Sequence, residues 1–132
     1  MYVKDFDGWT KVKKDINLSE ERVHINNGDV RWVSFGVNVA SEIDGKGVSF
    51  TRPAIVLKVI GNNLALVLPM STKIKSNVPG YKIFLFKNKD VSLCISQIKV
   101  ISQKRIFMRM TKLPKSKLTE IMLEVNNFYK FK

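Results

Sequence analysis

Gly28-Asp29-Val30-Arg31-Trp32, then Ser41-Glu42, then Thr51-Arg52-Pro53-Ala54-Ile55-Val56-Leu57, then Leu68-Pro69-Met70-Ser71-Thr72-Lys73 succeed one another in the stretch from Gly28 to Lys75. Pro53 to Ile60 is a largely β-branched run of strand length, with proline only at its first position, where no ladder hydrogen bond is lost. Gly61-Asn62-Asn63 turns the chain, and Leu64 to Pro69 returns as the hairpin partner. In a hairpin the start of one strand lies beside the end of the other. Arg52 and the Ser71/Thr72 pair are therefore expected at the same end of adjacent antiparallel strands. Upstream, Val30 to Phe35 alternates, with Val30, Trp32 and Ser34 on one side and Arg31, Val33 and Phe35 on the other, a strand buried on much of both faces. Gly36 to Phe50, with Gly36, Gly45 and Gly47, has the composition of a long, mobile loop, and loops of that length in compact domains are often functional.

Working outward, Tyr81 to Phe86 and Val91 to Ile95 are strands joined by a turn at Lys87-Asn88-Lys89-Asp90. Lys99 to Ile101 and Phe107 to Met110 are two more short strands. Short strands separated by turns predict a small, strongly curved antiparallel barrel. From Pro114 the pattern is helical, with Leu118, Ile121, Met122, Val125 and Phe128 or Tyr129 on the face that covers a mouth of the barrel. Before the barrel, Phe6, Trp9, Val12 and Ile16 fall at helical spacing in residues 2 to 17, opposite Lys11, Lys13 and Lys14, and their stripe is expected to pack on the domain. Ser19-Glu20-Glu21 is suited to cap one further turn. Asn26-Asn27-Gly28 is then a turn.

The chain has 132 residues, of which 45% are hydrophobic. That is one domain with enough apolar surface for its own core. No apolar run approaches a membrane span of ~20 residues, and Lys4, Asp5 and Asp7 stand where a signal peptide would be apolar, so the expected location is cytoplasmic. Twenty-three Lys and Arg against eleven Asp and Glu give a net charge of +12. Such an excess favours a polyanionic partner, and its spread along the whole chain suits a folded surface that follows a phosphate backbone. With a single cysteine, Cys94, and a single histidine, His24, the sequence holds neither an internal disulfide nor a zinc cluster. Catalysis without a metal or other cofactor is the expectation. Cys94, between Leu93 and Ile95, is read as core and His24 as a loop residue.

Gly-Asp-Val-x-Trp, Ser-Glu-x-x-Gly, Arg-Pro-Ala-Ile-Val and Pro-Met-Ser-Thr, in that order and spacing, resemble the MazF/PemK toxins, the ribonuclease halves of bacterial toxin-antitoxin pairs. The resemblance runs on through Ser96-Gln97-Ile98-Lys99-Val100-Ile101 to Arg105, covers about 28 to 128, and leaves residues 1–27 outside as an N-terminal helical extension to the barrel domain of 28–132. It implies a mainly β fold, an SH3-like barrel with a C-terminal helix. It also implies a homodimeric endoribonuclease that cuts single-stranded mRNA at short sequences and leaves 2′,3′-cyclic phosphate and 5′-hydroxyl ends. The implied partner is an antitoxin whose acidic, partly disordered tail threads the same groove, and the complex binds operator DNA through that antitoxin.

RNA supplies its own nucleophile, the 2′-hydroxyl, so a metal-free ribonuclease needs only a base, a charge stabiliser and an acid. Arg52 suits the stabiliser, because a guanidinium stays charged and grips phosphate with a two-pronged fork. Glu42 stands where the family has an acidic residue and is the candidate base. Ser71 matches the family's threonine, and Thr72 adds a second hydroxyl for a phosphate oxygen. Lys73 and Lys75, with Arg31, Ser96 and Gln97, are the expected RNA contacts. The chain departs from the family where some members carry Arg-Cys-Asp before the Gln: here Cys94-Ile95-Ser96 lacks both the cation and the acid. Two rivals follow: a gyrase poison of the CcdB type, which shares the barrel and performs no chemistry, and a catalytically silent RNA-binding module.

Overall fold

The computed structural model describes residues 2–130. In chain order the elements are α1 (Phe6–Leu18), β1 (Asp29–Ser34), β2 (Thr51–Ile60), β3 (Leu64–Ser71), β4 (Tyr81–Phe86), β5 (Lys89–Cys94), β6 (Lys99–Ser102), β7 (Ile106–Lys112) and α2 (Lys115–Tyr129). The strands pair antiparallel in the order β4-β5-β3-β2-β1-β7, and β6 joins β3. β3 bends the sheet, because on one side it serves two neighbours. Its first half pairs β6 (Leu64 with Ser102), and its end pairs β5 (Met70 with Leu93). The expected mainly β architecture with a helix at each end is the one found.

The β2–β3 hairpin turns at Gly61-Asn62-Asn63 and pairs Ala54 with Pro69. That register sends Arg52 and Ser71 out of the same end, as the hairpin geometry had implied. Both strands are buried on both faces, which is why they read as unbroken apolar runs. Ile55, Leu57, Leu68 and Met70 meet Ile121 and Val125 of α2, while Ala54, Val56, Ala65 and Val67 meet Val33, Phe35 and Ile106 behind the sheet. α2 is held further by the Tyr129 hydroxyl, which donates to the Ile95 carbonyl (2.6 Å).

Two local expectations are corrected. No helical turn follows Ser19: its N–H closes α1 on the Asp15 and Ile16 carbonyls, its backbone is extended, and its Oγ accepts the Glu21 N–H (3.2 Å). The hydroxyl that could have capped a helix instead holds a two-residue turn just after α1. The 36–50 segment, expected as a loose loop, is a hydrogen-bonded unit. Asn38 Nδ2 donates to the Phe35 and Ile43 carbonyls (3.0 and 2.8 Å), Asp44 Oδ1 accepts the Asn38 N–H (2.7 Å), and Lys46 and Thr51 exchange backbone hydrogen bonds.

Candidate active site

Arg52 opens β2 at the rim of the sheet. Its Nε donates to the Asp44 carbonyl (2.8 Å) and its Nη1 to the Met70 carbonyl (3.4 Å), while Nη2 makes no hydrogen bond among the described residues. Two backbone acceptors thus aim a half-buried guanidinium and leave donors for a ligand. The local sequence dictates this approach. A side chain at Gly45 would collide with the Phe50 carbonyl, so only glycine lets the loop fold back and bring the Asp44 carbonyl to Arg52. Phe50 itself is left-handed (φ 54°), and its carbonyl is held by the Phe35 and Gly36 N–H groups (2.9 and 3.2 Å). Strain of that kind survives only where neighbours over-determine it.

Beside Arg52 lies a cleft of about 600 Å³. Ser71, Thr72 and Thr51 bring hydroxyls to it, and Trp32, Met110 and Phe86 give it an apolar floor. Among the described residues, Lys46, Arg52, Lys87 and Lys89 line this cleft and no carboxylate does. Such a lining takes an anion with flat apolar parts. The segment that carries the hydroxyls is pinned from below: buried Ser92 Oγ donates to the Lys73 carbonyl (2.9 Å) and accepts the Lys75 N–H (3.0 Å). Ser71 Oγ accepts the Lys73 N–H (3.1 Å), which leaves its own proton to donate.

Arg52, Ser71 and Thr72 therefore come together, and Lys73 borders a second cleft that also meets Arg52. The other expected site residues stand apart. Glu42 lines neither cleft: its carboxylate accepts the Val39 N–H (2.9 Å) across a turn through left-handed Ala40 (φ 48°). The acid beside Arg52 is Asp44, two residues on. Its carboxylate accepts the Asn38 N–H and the Tyr2 hydroxyl (3.0 Å) and pairs with Lys4 (3.3 Å). Lys75 lies over the Tyr81 ring (4.7 Å). Ser96 is exposed, with its N–H on the Gly80 carbonyl (3.0 Å).

Gln97 grips the Ser-Glu loop, with Oε1 accepting the Ile43 N–H and Nε2 donating to the Ser41 carbonyl (both 3.3 Å). Arg31, expected to touch RNA, is instead buried. It pairs with Asp29 (3.0 Å) and donates to the His24 and Phe107 carbonyls, because β7 crosses β1 with bulges at this point and covers it. Cys94 is also fully buried, and its thiol pKa is pushed up to about 11, chiefly by burial, against the opposing pull of Arg52 and Lys75. A thiol that stays protonated is no nucleophile.

A model of the PemK-like, MazF-like toxins of type II toxin-antitoxin systems matches residues 26–129. The chain belongs to that family. A solved structure is also similar: a chain from the MazE-MazF complex (Form II) of Deinococcus radiodurans superposes with a TM-score of 0.58 at 16% identity, over 83% of this chain and 99% of that one. At that identity the likeness is one of fold. No curated protein matches the chain. Residues 2–25, which hold α1, lie outside the matched segment. Asp44, Lys46, Lys87 and Lys89 are the cleft residues the motifs did not single out, and Trp32 stood in a motif without a role assigned to it. Asp44 had one available signal, its place directly before the obligatory Gly45.

Proposed function

We propose that this chain is the toxin of a type II toxin-antitoxin pair and an endoribonuclease that cuts single-stranded mRNA through the substrate's own 2′-hydroxyl. The observation that carries the reading is the cleft lined, among the described residues, by four cations, three hydroxyls and no carboxylate, with an Arg52 whose Nη2 makes no hydrogen bond among them. In this reading the scissile phosphate sits at Arg52, which offsets the extra negative charge of the phosphorane. Ser71 and Thr72 hold its oxygens, and Lys46, Lys73 and Lys87 meet flanking phosphates as point charges. Trp32 and Phe86 offer flat surfaces to bases.

The proton acceptor is the role least provided for in this arrangement. Glu42 is exposed and tied to its turn by one hydrogen bond to the Val39 N–H. Releasing such a bond costs only about 1 kcal/mol, so the carboxylate is free to swing. Asp44 is the poorer base, since its oxygens are engaged by Asn38, Tyr2 and Lys4. The working form in this reading is a homodimer in the cytoplasm, inhibited by an antitoxin whose acidic tail competes for the same cationic cleft.

Single-stranded RNA and DNA of one sequence separate this reading from simple polyanion binding. Both strands are expected to bind, with affinities that fall steeply as salt is raised, and only the RNA is expected to be cut. Cut DNA would rule out the 2′-hydroxyl route, and a bound but intact RNA would favour the silent RNA-binding module.

A further inference from the structure

Residues 2–18 lie outside the family segment, yet they are built into the neighbourhood of Arg52. Trp9 is 6% exposed, edge-on to Phe50 (ring centroids 5.7 Å apart), and under the Arg105 guanidinium (5.6 Å). Gly36, left-handed at φ 76°, leaves the space that the indole fills. Lys4 donates to the Asn38 and Ala40 carbonyls, and Tyr2 to Asp44. At the far end of α1, Lys104 Nζ donates to the Asn17 carbonyl (2.8 Å). The extension is thus fixed to the barrel at both ends and along its middle.

Between α1 and the 44–50 loop lies the second cleft, of about 1080 Å³. Tyr2, Val3 and Val12 of the N-terminal segment and Val48 and Phe50 of the loop line it, together with Lys46, Lys73 and Arg52. Lys46, Gly47 and Arg52 border both clefts, so a strand laid across Arg52 continues from the first into the second. We propose that the N-terminal extension completes a second nucleotide pocket, which takes the base next to the scissile phosphate and makes the extension a specificity element. This rests on the ribonuclease reading above. The charges set the orientation. Asp5 and Asp44 also line the cleft, with Asp44 paired to Lys4, so the phosphate stays by Lys46, Lys73 and Arg52 while the base enters among the apolar side chains. A base held that way contributes sequence-tolerant stacking energy, with selectivity from the pocket's shape.

The test is cleavage-site sequencing of a random single-stranded RNA library cut by wild type, Val12→Trp, which fills the pocket, and Val3→Glu, which adds a carboxylate to those of Asp5 and Asp44 in its lining. Val3 is 78% exposed, so that variant keeps the fold even if the tryptophan does not. Both variants are expected to cut about tenfold more slowly or worse. They are also expected to lose base preference at positions on one side of the cut and keep it on the other. Wild-type rates and preferences in folded variants would overturn the pocket while leaving the ribonuclease reading intact. Unchanged cutting, together with weaker inhibition by an acidic peptide, would assign the cleft to a protein partner instead. Failure of wild type to cut any RNA would overturn both.

Discussion

Replacement of Arg52 by alanine is expected to abolish RNA cutting and growth inhibition and to leave the barrel folded. The loss follows from charge. A positioned donor at a developing oxyanion is typically worth ~10²–10³ in rate. Arg52 supplies both a fixed cation and a fork to a cleft that no carboxylate lines among the described residues. The fold should survive, because what disappears is two hydrogen bonds from a half-buried side chain to the Asp44 and Met70 carbonyls. Each is worth about 1 kcal/mol. Arg52→Lys keeps the charge without the fork and is expected to fall between wild type and alanine. Single-turnover cleavage beside a thermal melt checks both halves: wild-type cutting by a folded alanine variant would remove Arg52 from the mechanism.

Arg31→Ala should do the opposite, destroying the fold rather than the chemistry. Asp29 is fully buried; its Oδ2 accepts from Arg31 Nε and Nη2 (3.2 and 3.0 Å) and from the Asn26 N–H (3.1 Å), and its Oδ1 has no partner. Truncation of the arginine strands that carboxylate and frees the His24 and Phe107 carbonyls. Breaking a buried pair in this way costs about 3–5 kcal/mol, a large part of the ~5–15 kcal/mol that holds a domain together. The expected result is a melting temperature lower by roughly 10–20 °C, or no folded protein. Asp29→Asn with Arg31→Met should recover part of the loss, since removing both charges leaves none unpaired. A melt of Arg31→Ala within a degree or two of wild type would show that the pair is not needed.

The contrast between Arg52 and Arg31 marks how far the sequence could be read. Both are strand arginines within the same motif-bearing stretch, Arg52 near the start of β2 and Arg31 inside β1. Arg52 was legible because its position depends on one hairpin: Gly61-Asn62-Asn63 fixes the turn, the apolar runs fix the register, and the rim location of Arg52 and Ser71 follows. Arg31 depends on β7, more than seventy residues away (Phe107 is the partner at a separation of 76), and on bulges that alternation cannot reveal. Trp32 is the converse case, 38% exposed on a strand that is otherwise buried.

Glu42 fails to reach the cleft for a similarly distant reason. Its turn is set by Ala40, Asn38 and Asp44, and these are held by Tyr2 and Lys4 of an extension the motifs do not include. The apolar stripe of α1 announced a helix that packs. It did not announce that Trp9 would fill the hollow over Gly36, beside the loop next to Arg52.

The most direct test of the ribonuclease account is to incubate the purified, antitoxin-free protein with a long single-stranded RNA in excess EDTA, then map the cut positions and the chemistry of the new ends. The expected result is cutting at a short recurring motif, with 2′,3′-cyclic phosphate and 5′-hydroxyl ends. Intact RNA from well-folded protein, or 3′-hydroxyl and 5′-phosphate ends, would contradict it.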